Sequence, residues 1–254
     1  MTPDDRDDDQ RFEALFKGRE GSVLGDHRGD DDEPSPLTAK KEKWAKDKDG
    51  PGSRPWRNHA GGLPPGQSTT AEFPVLDLGT RPLIAEDDWQ LTVAGLVDNP
   101  IRWDWRQFMA QPQTDSNSDI HCVTAWSRLE NRWSGLSSRD FLKIVSPKPE
   151  ARFVIFHGYD GYTTNLPIDR FDRDDSLLAH SWQGKPLERE HGGPVRAVIP
   201  SLYFWKSAKW LRHIVFLDSD RPGYWETRGY HMLGDPWKGQ RYEDTVDKPL
   251  LIGF

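Results

Sequence analysis

The sequence predicts an α+β domain with strands in the majority, following an N-terminal arm that carries little fixed structure. Three observations carry this prediction. Short apolar segments alternate or run continuously at strand length, bounded by Gly, Pro, Asn and Asp. Regular β–helix–β units and internal repeats are lacking. Apolar residues concentrate after about residue 60. Before that point stand 15 Asp or Glu and 12 Lys or Arg, with only Leu15, Val23, Leu24 and Leu37 as larger aliphatics. So little apolar surface does not offset roughly 1–2 kcal/mol of backbone entropy per residue. Residues 1–60 are therefore expected to form a mostly disordered, polyampholytic arm, and residues 61–254 the folded domain. The acidic runs Asp7–Asp9 and Asp30–Glu33 read as solvation of the arm rather than as a cation site.

Within the domain, Gly61–Gln67 is a turn-rich connector. Trp89–Gly95 alternates and reads as a strand, and Ile101–Trp103 as another. A short helix is expected from Trp105 to Ala110. Ser118–Cys122 reads as a strand ending in a loop. Ser137 caps a helix to Val145, because a serine precedes apolar residues at helical spacing. The segments 152–156, 162–166, 177–182, 195–199 and 211–217 complete the strands.

Composition excludes several functions. Of the 254 residues one is cysteine, which rules out an intramolecular disulfide and any multi-cysteine metal cage. A net charge of −7, from 34 basic and 41 acidic residues, opposes nucleic-acid binding. No apolar run reaches the roughly 18 residues of a membrane span. The opening MTPDDRDDDQ lacks the basic and apolar regions of an export signal, so a cytoplasmic protein is expected. The motifs of P-loop, dinucleotide-binding, serine-hydrolase and zinc-protease sites are missing.

Three places depart from ordinary sheet-and-turn composition. The first is His121-Cys122 with Thr124, Trp126 and Arg128; its thiol reads either as a small buried hydrophobe or as a nucleophile or ligand, and the residues alone leave both open. The second, His157–Pro167 with Asp160-Gly161 and Tyr162, reads as a tight turn between strands. The third runs from Glu190 to Trp210. There Arg196 sits inside an apolar strand, and such a guanidinium needs an anion or a full set of acceptors. Ser207, Lys206 and Lys209 follow between tryptophans, a set suited to a phosphate or another polyanionic cofactor.

Together these segments resemble the sulfite oxidase-type molybdenum oxidoreductases, in their compact bacterial form. The anchors are Pro64–Gln67 with Phe73–Asp77, His121-Cys122, Gly161–Pro167, His191–Arg196 and Lys206–Leu211. The resemblance implies a strand-rich domain of the sulfite oxidase molybdopterin-binding type, and one Mo-molybdopterin, with Cys122 as the molybdenum ligand. It places His191, Arg196, Ser207, Ala208 and Lys209 on the cofactor and its phosphate, with Gly158 lining it and Phe73, Leu76 and Asp77 against the pterin. Tyr162 falls at an active-site tyrosine, and Arg128 and Arg228 are the implied charges near the substrate. Two substrate-binding arginines of the animal enzymes correspond here to Ser127 and Leu76. The implied reaction is two-electron oxygen-atom transfer, to a sulfite-like or from a sulfoxide-like small molecule. A separate electron partner (reductase, cytochrome or ferredoxin) is implied too, because the chain carries no haem, flavin or iron–sulfur motif. The competing expectation is a non-catalytic module that kept the fold and binds a partner through its acidic arm.

Overall fold

Two sheets position everything that follows, in a computed structural model that describes residues 35–52 and 62–243. The described residues belong to one compact unit beginning at Pro34. The expected disorder of residues 1–34 and 53–60 falls outside them.

The first sheet contains β1 (Ser68–Thr69), β4 (Gln113–His121), β5 (Trp126–Ser137), β8 (Leu177–Trp182), β9 (Lys185–Pro186) and β10 (Arg196–Val198). Its order is β1-β5-β8-β10, with β4 paired to β5 and β9 to β8. The second sheet runs β3-β2-β11-β6-β7. Its members are β2 (Gln90–Gly95), β3 (Ile101–Asp104), β6 (Phe153–Gly158), β7 (Thr163–Pro167) and β11 (Leu211–Leu217). β11 pairs parallel to β2 at Ile214↔Val93, and antiparallel to β6 at Ile214↔Phe156. Flanked on both sides, β11 is buried almost throughout, which is why it reads as a continuous apolar run.

Among the described residues four α-helices accompany the sheets: α1 (Pro36–Asp47), α2 (Trp105–Met109), α3 (Ser138–Val145) and α4 (Ile168–Phe171). α2 opens on a capping box between Asp104 and Gln107. α3 starts where expected, with the Ser137 hydroxyl accepting from the Asp140 N–H. Its buried face of Phe141, Leu142 and Val145 packs into the main core, where Phe141 lies edge-on to Trp103 and Phe171. Trp89 anchors the same core, fully buried, with its indole N–H donating to the Leu211 carbonyl at 3.0 Å. Among the described residues no helix is long and apolar enough to cross a membrane.

Besides the short β1, β9 and α4, which were not expected, two places differ from expectation. α1 falls inside the stretch expected to be unstructured. Its buried residues are Thr38, Lys41 and Ala45, which present no apolar stripe for periodicity to detect. Its start is capped: Ser35 accepts from the Thr38 N–H at 3.2 Å, and Pro36 occupies the first turn. The other difference is the β4–β5 hairpin. β4 begins at Gln113 rather than Ser118, and all of β5 went unread, because both strands are polar and β4 is exposed along most of its length.

Candidate functional site

β4 delivers Cys122 to one wall of a cleft. Past His121 the chain turns sharply: the Ala125 N–H donates to the Cys122 carbonyl at 3.0 Å, and the Cys122 N–H to the Trp126 carbonyl at 2.8 Å. Ala125 takes φ 75°, a left-handed conformation that costs a non-glycine residue about 1 kcal/mol or more. Two side chains tie the turn down. Gln67 donates from Nε2 to the Cys122 carbonyl at 2.9 Å and receives the Ser127 hydroxyl at 3.2 Å. Arg241 donates to the carbonyls of Val123 and Pro65. Cys122 is thus 5 % exposed, with Sγ 3.1 Å from the Thr124 hydroxyl.

The cleft holds a cavity of about 80 Å³. Its far wall comes from the segment between Glu190 and Trp210. His191 stacks on Phe73 at 4.1 Å with the rings nearly parallel. Arg196 is buried on β10 and donates to the carbonyls of His191 at 2.7 Å and Ser207 at 2.9 Å, its guanidinium 4.3 Å from the Phe204 ring. Those acceptors satisfy the charge that looked out of place in an apolar strand. The Ser207 hydroxyl accepts from the Ile199 N–H at 2.9 Å, which clips the loop back onto the strand. Lys209 donates to the Glu190 carbonyl at 2.9 Å and stands 3.8 Å from Asp77.

Burial sets the protonation of this wall. His191 is pushed down to about 4 by desolvation and by the nearby Arg196 cation, so it is neutral. Lys209 is pushed down to about 7 by desolvation, then by Arg196, against the pull of Asp77 and Asp160. Asp160 is pushed up to about 6, again by burial. Glycines make this crowding possible. A Cβ on Gly158 would lie 2.4 Å from the Asp160 carboxylate and 2.8 Å from the Lys209 carbonyl. Gly192, at φ 102°, would meet Lys209 at 2.9 Å.

Nine of the residues singled out in the sequence line this single cleft: Cys122 and Tyr162; Phe73, Leu76 and Asp77; His191, Arg196, Ser207 and Lys209. The Tyr162 hydroxyl donates to the Trp205 carbonyl at 2.5 Å, so its proton is committed inward. Gly158 and Ala208 stand behind the lining, the Ala208 carbonyl accepting from the Ala197 N–H. The two expected substrate arginines do not line the cleft. Arg128 lies over the Trp182 ring at 4.6 Å and donates to Asn131 at 2.5 Å. Arg228 lies 3.6 Å over the Tyr224 ring and donates to Glu42 at 3.0 Å. Lys206, read as part of the anion-binding set, turns instead into the core and pairs with Glu226 at 2.5 Å.

Sequence reasoning missed Lys41, Asp160 and Trp225 on the cleft wall, and Arg241 behind it. Asp160 was visible only as half of an Asp-Gly turn. Nothing local marks the other three, since each reaches the site from a distant segment.

Comparison with known proteins places these features in company. Residues 78–225 match the family described as the oxidoreductase molybdopterin binding domain. The uncharacterized oxidoreductase YuiH of Bacillus subtilis is 49% identical over 186 residues, covering 73% of this chain and 94% of that protein. The catalytic subunit MsrP of a protein-methionine-sulfoxide reductase from Gluconobacter oxydans is 30% identical over 155 residues, 54% of this chain and 49% of MsrP. The crystal structure of the sulfane dehydrogenase SoxCD from Paracoccus pantotrophus superposes with a TM-score of 0.51 at 22% identity, over 55% of this chain and 40% of that one, a likeness of fold.

Proposed function

The chain belongs to the molybdopterin-binding oxidoreductase family, and on that premise we propose that it performs two-electron oxygen-atom transfer at a molybdenum centre held by Cys122. It is a molybdopterin-dependent oxidoreductase of the sulfite oxidase-like group. The observation that carries the finer reading is the convergence of a buried thiol and three basic side chains on one cleft.

The residues present fit the cofactor. The Cys122 turn offers one soft donor, which binds a metal as the thiolate. Arg196 and Lys209, with the neutral His191 beside them, form a wall suited to a phosphorylated organic group. Phe73 and His191, stacked on each other, add an aromatic edge to the cleft beside which a pterin ring would pack. When bound, the cofactor supplies the two-electron redox chemistry and the exchangeable oxygen.

The chain's own residues do the rest. Gln67 and Arg241 hold the Cys122 turn so that Sγ faces the cleft in one orientation. Trp126, Trp205, Trp225 and Leu78 exclude water around it and strengthen every electrostatic contact inside. Tyr162 presents its phenolic oxygen as an acceptor, because its proton is donated to Trp205; burial raises its pKa well above the usual tyrosine value, so it stays neutral. Electrons pass to or from a separate carrier. A paired assay with artificial electron carriers, sulfite oxidation against methionine sulfoxide reduction, tests the reading. Turnover in one direction supports it, and protein loaded with cofactor but silent in both contradicts oxygen transfer to these substrates.

Lys209→Met gives a prediction on the basic wall. The ammonium is disfavoured in the folded, cofactor-free protein, so between pH about 7 and the ordinary lysine value near 10.5 the unfolded chain binds more protons. Cofactor-free wild type should therefore gain stability as pH rises through that window, and Lys209→Met should lose this part of the slope. Thermal melts at matched pH values check the sign. Molybdenum per chain should fall in the same variant, because an anion contact is removed.

A further inference from the structure

Cationic groups are divided between the two ends of the cleft. Arg196 and Lys209 stand beside the neutral His191, which stacks on Phe73. At the Cys122 end stands Lys41, delivered by α1. Lys41 is 5 % exposed, and its charge lies close enough to interact with Cys122 and Asp77. Its ammonium sits 4.1 Å from the centre of the Trp225 ring. Among the described residues no carboxylate or carbonyl hydrogen-bonds that ammonium. A tryptophan face holds a cation without neutralising it, and a buried ammonium lacking an acceptor is costly. An anion in the cleft removes that cost.

The neighbouring charges are already engaged. Glu42, the next residue of α1, accepts from Arg228 at 3.0 Å and from the Tyr224 hydroxyl at 3.1 Å. This pair holds Arg228 against α1 and away from the cleft. The Lys41 backbone is fixed as well, its carbonyl accepting from the Tyr230 hydroxyl at 3.2 Å. The helix thus sends a lysine inward and retains the arginine at its own flank. On the same cleft Leu76 is apolar, and behind it the Ser127 hydroxyl is already bound to Gln67 and His121.

We propose that Lys41 binds the anionic oxygen of a small sulfur oxyanion at the Cys122 end of the cleft, so that α1 completes the substrate site. The inference rests on the oxygen-transfer reading and names its substrate-binding cation. Trp225 is the platform that orients the ammonium, and Glu42 positions the helix through Arg228.

The test uses the protein as purified with its cofactor, and the variants Lys41→Met and Lys41→Arg. Sulfate, a non-reacting oxyanion, is titrated by calorimetry; molybdenum per chain and the sulfite KM and kcat are measured on the same samples. Loss of one charge-assisted hydrogen bond in Lys41→Met should weaken sulfate binding and raise the sulfite KM by about tenfold or more, with molybdenum content and kcat within about twofold of wild type. Lys41→Arg keeps the charge and should stay within about threefold in sulfate affinity. Unchanged sulfate affinity in Lys41→Met overturns the proposal. So does a loss of molybdenum from that variant, which would assign Lys41 to the cofactor. Preserved sulfoxide turnover with no sulfate binding by wild type overturns it in favour of a neutral substrate. If wild type instead lacks molybdenum and turnover altogether, the oxygen-transfer reading fails, while the sulfate titration still decides the role of Lys41.

Discussion

Cys122→Ser should lower turnover by at least about a hundredfold while leaving the fold nearly intact. Serine is close in size to cysteine, and the hydrogen bonds that shape the turn run through its backbone and through Gln67 and Arg241, not through Sγ. What the substitution removes is a donor that ionises readily and binds a soft metal; a serine hydroxyl does neither at neutral pH. Stability should therefore change by only about 1 kcal/mol, the scale for a small buried group with a hydroxyl neighbour at Thr124. Activity per molybdenum and a urea melt on one preparation separate the two effects. Full activity in Cys122→Ser would remove this residue from the metal.

Glu226→Ala should have the largest effect on stability, a loss of about 3–5 kcal/mol. Lys206 and Glu226 are wholly buried as side chains and meet at 2.5 Å. The ammonium also donates to the carbonyls of Asn165 at 2.7 Å and Met232 at 2.6 Å. Glu226 further receives the Trp205 indole N–H at 2.9 Å and the Thr164 hydroxyl at 3.2 Å. Desolvation lowers the Lys206 pKa against the pull of Glu226, so deleting the carboxylate removes the first of the charges that offset its burial and leaves the neutral acceptors and the weaker pull of Asp220. In a domain of this size the loss corresponds to roughly 6–20 °C in Tm. The double variant Lys206→Met with Glu226→Gln removes both charges and should recover much of it. An equally unstable double variant would show that packing, rather than the charge pair, holds this corner.

The two predictions sit on neighbouring parts of one wall. Trp205 donates its indole N–H to Glu226 and accepts the Tyr162 hydroxyl on its carbonyl, while its ring lines the cleft. The buried pair thus braces the same surface that shields Cys122 from water, and loss of Glu226 should be felt at the site before the domain unfolds.

What was legible in the sequence follows a physical pattern. β8 and β11 were read at the bounds they have, and β2, β3, β6, α2 and α3 within a residue or two, because each buries apolar side chains at a regular period. β5 was invisible because its period is broken by Glu130, Asn131 and Arg132 and its order comes from pairing to β4 and β8. α1 was invisible because its buried residues, Thr38, Lys41 and Ala45, make no apolar stripe. The basic wall was legible for a different reason: His191, Arg196, Ser207 and Lys209 lie within a span of one strand and one loop, so their convergence is local. Arg128 and Arg228 stand off the cleft because Trp182 and Asn131 hold the one and Glu42 the other, and of these Trp182 and Glu42 lie far away in sequence. Glu42 in particular belongs to a helix the sequence reading had treated as part of the arm.

Metal and pterin analysis of the purified chain tests the central claim most directly. Protein made in a host that synthesises the cofactor should carry near-stoichiometric molybdenum and release a fluorescent pterin on oxidation. Protein from that host with the fold intact but neither molybdenum nor pterin would contradict a molybdenum centre in this cleft.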